Sequence, residues 1–199
     1  MAGFKSHGIT SNTPEYLMFN AAALFKNVPL TTEGWTDEAL AKLAPLAATS
    51  GGCKIAIENE YVYPEIDGAT VNVEGLTQKM ADKISVEANF TEFIGERLVD
   101  ALHLVKATDF APTGYDAYTS KAKLTADDYI DNLAVVGTLT SGKQIVFILP
   151  SALCTSALEL ETKNKEQATY ACKFEGHAPI DAADLTHIPY YILTPKATV

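Results

Sequence analysis

Two stretches of this chain alternate polar and apolar residues with period two, and that alternation constrains the fold more than any other feature. Between Thr155 and His177, Ala157, Glu159 and Glu161 share one parity, while Leu158 and Leu160 share the other. After a polar Lys163-Asn164-Lys165-Glu166 run, Gln167, Thr169, Ala171, Lys173 and Glu175 alternate with Ala168, Tyr170, Cys172 and Phe174. Successive side chains on a strand point to opposite faces, so each arm predicts one dry and one wet face. The polar run with its Asn predicts the turn between them. The second stretch opens at Gly51-Gly52. There Lys54, Ala56, Glu58 and Glu60 alternate with Ile55, Ile57, Asn59 and Tyr61 in a strand over 53–63 that Pro64 stops. Asp67-Gly68 signals a tight turn, and 69–74 reads as the return strand, with Gly75 ending or bulging it. Each hairpin bears paired glutamates on alternate positions.

The remaining segments are consistent with a sheet protein. Strands are predicted at 17–26, 83–90, 121–125, 133–139, 144–149 and 188–193, with Pro150 ending the fifth of these and the last at an edge. Thr140-Ser141-Gly142-Lys143 joins 133–139 to 144–149 as a hairpin. Thr36 can cap a short helix over 37–44 that Pro45 ends. The strongest helix signal is 92–106, capped by Thr91, with Ile94, Leu98, Leu102 and Val105 as its apolar stripe and His103 beside it. The expected class is mainly β: about ten antiparallel strands in a β-sandwich or partly open barrel, with one flanking α-helix. A single domain over 1–199 is expected, with an N-terminal arm over about 1–15 and long loops over about 27–52 and 107–119.

Composition narrows the function. Hydrophobic residues make up 47% of the chain, enough for a core. The net charge of -10 disfavours a sequence-specific DNA-binding module, which needs a basic patch. Cys53, Cys154 and Cys172 show no CxxC spacing, so neither a disulfide scaffold nor a zinc site is expected. The opening MAGFKSHGIT has no apolar region of a secretory signal, and no apolar run approaches a membrane span, so synthesis and assembly in a reducing cytoplasm are expected. GxSxG, HExxH, P-loop and GxGxxG motifs do not occur, and His7, His103, His177 and His187 are scattered. Glutamates two apart on one strand point the same way, unlike the opposed carboxylates of a glycosidase. Asp127, Asp128 and Asp131 lack the EF-hand spacing and read as a solvated turn. No catalytic, cofactor-binding or metal-binding residue is expected, and the chain reads as a non-enzyme.

Several motifs, in their order, resemble one family. The segment TPEYLMFNAAALFKNVP resembles the opening of phage major tail proteins, or tail tube proteins. So does the succession that follows: Ala48-Thr49-Ser50-Gly51-Gly52, Asp67-Gly68-Ala69, Val73-Glu74-Gly75, a strand and helix over 84–104, and the ending EGHAPIDAADLTHIPYYI. A prophage-derived tail-like particle is equally consistent with these motifs. The resemblance implies a virion tail component, assembled in the bacterial host cytoplasm, that forms hexameric rings stacked into a tube. Strands from all subunits would line a channel through which DNA leaves without specific binding. The N-terminal arm and loops would bridge successive rings, and tape measure, terminator and distal tail proteins would be its partners. No membrane partner is implied.

Within that frame, Glu58, Glu60, Glu159 and Glu161 are the candidate lumen-facing residues, with Lys54 and Lys163 as exceptions. An acidic wall would repel phosphate within about 8 Å at physiological salt. The opposite assignment sets these acids on the outer wall. The alternative function is a stand-alone β-barrel or sandwich module binding a ligand through Tyr115, Tyr118, Tyr190 and Tyr191.

Overall fold

The structure is a computed structural model that describes residues 7–18 and 20–196. Residues 1–6 of the expected arm lie outside the described residues, as does Phe19 of the first expected strand. In chain order the elements are β1 (Ala23–Phe25), α1 (Asp37–Leu40), β2 (Thr49–Val62), β3 (Gln78–Phe90), α2 (Gly95–Leu102) and β4 (Leu104–Lys106). They continue with β5 (Tyr118–Ser120), β6 (Ile130–Thr138), β7 (Gln144–Cys154), β8 (Tyr170–Gly176) and β9 (Tyr191–Leu193). The class is mainly antiparallel β with a flanking helix, as the alternation predicts.

One sheet runs β1-β6-β7-β8-β3-β2, with β9 added beside β7, and a separate β4–β5 hairpin sits by α2. Register follows hydrophobic parity. Ile55, Val86 and Phe174 stand in one row across β2, β3 and β8, and Cys53, Ala88 and Cys172 in the next. A one-residue slip would turn both rows into solvent. The interior row ends in aromatics: Phe90 meets Tyr170 edge-on at 5.7 Å between centroids, and Phe174 lies 5.9 Å from Phe90. Tyr170 donates its hydroxyl to the Glu92 carbonyl at 3.0 Å, and burial pushes its phenol up to about 12. The two ends of the strand path curl over this core. Leu46 N–H donates to Leu24 O at 2.7 Å, and the Cys53 thiol lies 3.6 Å from Ala22 O. A smaller cluster of Val28, Ala134, Val146 and Ile148 is covered by Trp35 and Leu43, and Trp35 donates to Pro29 O at 2.8 Å.

Several expected elements are corrected. The 157–161 arm is not a strand: β7 runs on to Cys154, and only β8 carries the alternation, with Tyr170, Cys172 and Phe174 buried. Pro150 sits inside β7 opposite Asn132, which takes φ 47°, and the Asp131–Ser151 and Leu133–Leu149 pairs on either side keep one register across them. Residues 69–74 form no strand, and β2 returns instead through β3. Inward-facing Ile55 and Ile57 find inward-facing Val86 and Ile84 there. The helix stops at Leu102 because His103 adopts a left-handed cap, φ 53°, with its N–H on Val99 O. Residues 104–106 then pair with 118–120, which replaces the expected 121–125 strand. The first strand shrinks to β1, although Met18 bridges Leu139. The expected 37–44 helix shortens to α1, which Thr36 does cap through its side chain at 3.3 Å from Ala39 N. Asp128 is buried, not solvated: Lys121 Nζ lies 2.8 Å from Oδ1, and the Thr125 N–H lies 2.6 Å from Oδ2.

Candidate assembly surface

The wet face of β2, β3 and β8 is built from the residues opposite in parity to the core rows. Lys54 pairs across to Glu87, which pairs across to Lys173; Ala56 leads to Ser85 and Glu175; Glu58 stands opposite Lys83 and Glu60 opposite Ala81. Lys54 Nζ lies 3.1 Å from Glu87 Oε2, and Lys173 Nζ lies 2.8 Å from Glu175 Oε1. The face that reads as acidic in the sequence of β2 thus carries both signs once β3 and β8 are laid beside it. Lys173 holds the Glu175 carboxyl below the ordinary carboxylate range. In return Glu175 first, and then Glu87 and Glu58, raise the Lys173 ammonium. A shallow depression of about 560 Å³ opens here, lined by Glu58, Lys83, Lys173, Glu175, His177 and Ile188. The ring of His177 is fixed by Tyr129, edge-on at 5.3 Å.

Glu58 and Glu60 are exposed on this face. Glu159 and Glu161 are exposed on the β7–β8 connection, where they line a different depression and Glu161 pairs with Lys163 at 3.3 Å. The two glutamate pairs are therefore not brought to one site. Sequence reading missed Lys83, Glu87, Lys173 and Glu175 as one ladder. Their parity was visible, but the β3–β8 pairing that gathers them links positions 85 and 175. Tyr115 and Tyr118 belong to the β4–β5 hairpin and Tyr190 and Tyr191 to the chain around β9.

Beyond this ladder the β2–β3 hairpin loses its neighbours. β8 pairs only with Ser85–Phe90 of β3, so residues 59–62 and 78–82 form a two-stranded ribbon. Its apolar residues Tyr61, Val62 and Met80 are exposed, as is Tyr63 just after β2, and Val71 in the connecting loop is 74% exposed. β2 pairs with β3 alone, leaving its outer edge open among the described residues. The chain's accessible surface is 14166 Å² for 21.4 kDa. A compact monomer of that mass exposes roughly 9,000 Å². No helix among the described residues is long and apolar enough to cross a membrane.

No family model matches the chain, and no curated protein matches it. Among solved structures it is similar to a chain from the tail of an empty GTA particle, with C6 symmetry. The TM-score is 0.38 and the identity 9%, over 79% of this chain and 92% of that one.

Proposed function

We infer that this chain is a structural subunit of the tail of a phage or phage-like particle, without catalytic activity. Copies assemble into hexameric rings that stack into a tube, and DNA passes through a channel lined by β-strands, with Glu58, Glu60, Glu159 and Glu161 facing the lumen. The observation that carries this reading is the surface excess. An accessible area of 14166 Å² exceeds the compact-monomer expectation by about 5,000 Å², the scale that obligate assemblies bury. The exposed surface includes a two-stranded ribbon bearing exposed Tyr61, Val62 and Met80, and an isolated ribbon of that kind is marginal in water. The open edge of β2 invites strand pairing that a closed ring would use up. The ordered motifs from TPEYLMFNAAALFKNVP to EGHAPIDAADLTHIPYYI supply the family resemblance. Sedimentation velocity on the purified chain tests the assembly step. Six-fold or larger species that grow with concentration are expected, and a monomer at every concentration and salt would refute it.

A further inference from the structure

A wall that passes nucleic acid should hold no free lysine, because each lysine that meets a phosphate releases counterions and gains affinity. Yet the wet face of β2, β3 and β8 carries Lys54, Lys83 and Lys173. Two of the three have a carboxylate at ion-pair distance on the same face: Glu87 at 3.1 Å from Lys54, and Glu175 at 2.8 Å from Lys173. Glu87 stands between Lys54 and Lys173 in the cross-strand row. A phosphate approaching either lysine meets the carboxylate already paired with it, and like charges brought together oppose binding. Over Lys54–Glu60, Ala81–Asn89 and Ala171–Glu175, the outward residues hold four glutamates (58, 60, 87, 175) and three lysines (54, 83, 173), a net of −4 + 3 = −1. Neutralising Glu87 and Glu175 would turn that patch to −2 + 3 = +1.

We propose that Glu87 and Glu175 mask Lys54 and Lys173, so that this face rejects nucleic acid although lysines are built into it. The identity of the polyanion rests on the proposed tail function, but the masking itself is a property of one chain. It gives these glutamates a role distinct from bulk repulsion: they fix the sign of a local patch.

Binding of a linear DNA duplex to the full chain, followed by fluorescence anisotropy at stepped salt, tests this. Glu87→Gln with Glu175→Gln should tighten binding about tenfold at low salt, with a log–log salt slope steeper than wild type by about 2, one for each uncovered lysine. Adding Lys54→Gln and Lys173→Gln to that variant should restore wild-type behaviour. Glu65→Gln with Glu74→Gln makes the same change in net charge, from −10 to −10 + 2 = −8, in the exposed loop after β2 and uncovers neither lysine. It should leave binding as in wild type. Equal tightening by both glutamine pairs, or none by Glu87→Gln with Glu175→Gln, overturns the proposal. If that double variant does not fold, Glu87→Gln alone should steepen the slope by about 1, and no change in slope counts against masking. A chain that never forms a tube would answer this experiment just as clearly, so the two readings fail separately.

Discussion

Lys26 Nζ stands 2.7 Å from Asp100 Oδ2, tying the end of β1 to helix α2 across 74 positions of sequence. The two partners are not equally buried: the Asp100 side chain is 17% exposed and that of Lys26 33%. Removing the lysine strands a carboxylate at the packed side of the helix, whereas a lone lysine can extend its long stem to water. Lys26→Met should therefore cost about 1–2 kcal/mol and Asp100→Asn about half of that. Urea unfolding of the two variants checks the order.

Packing at the heart of the sheet sets a larger cost. Phe174 is fully buried and touches the Phe90 ring at 5.9 Å between centroids. Phe174→Ala should lose about 3–5 kcal/mol through lost transfer energy and the cavity left behind. Val71→Ala, at an exposed loop position, should stay within about 0.5 kcal/mol. Chemical denaturation of both separates core from connection.

The buried Asp128 makes stability depend on acid. Burial pulls its pKa up, but the bonds from Lys121 and Thr125 outweigh it, and the carboxyl is held below its ordinary value. A depressed folded pKa contributes stability that is complete above the unfolded value near 3.8 and is lost as pH falls through the lower folded value. Wild-type stability should thus decline below about pH 4. Asp128→Asn should be less stable at pH 7 by about 1–3 kcal/mol and show a shallower acid decline. Thermal unfolding between pH 2 and 7 reads both effects.

The ribbon at the end of β2 and β3 allows folding and assembly to be separated. Val62→Glu with Met80→Glu changes exposed side chains with few interior contacts, so monomer stability should shift by no more than about 0.5 kcal/mol per site. Sedimentation should nevertheless show the larger species gone, because two charges would be buried against a neighbour without partners.

Parity was the part of this fold most legible in sequence, and pairing the least. The buried set Tyr170, Cys172 and Phe174, and the inward Ile84, Val86 and Ala88, follow from alternation alone. Alternation misled at Ala157–Glu161, where Leu158 and Leu160 remain exposed and no neighbouring strand takes them up. Local rules also yielded to tertiary context. Pro150 ends no strand, since the β6–β7 pairing continues in register on both sides of it, and the helical stripe to Val105 breaks at His103, whose Nε2 lies 2.7 Å from Cys154 O. The Asp67-Gly68 signal did mark a turn, yet the return strand lies further on, where apolar residues match Ile55 and Ile57. The charged ladder needed the β3–β8 register, a contact between residues some ninety positions apart that no local pattern encodes.

The most direct measurement is negative-stain electron microscopy of the purified chain at high concentration. Rings with a central channel, alone or stacked into tubes, are the predicted result. Uniform single-chain particles under every assembly condition would contradict the claim that the β2 edge and the apolar ribbon are completed by neighbouring copies.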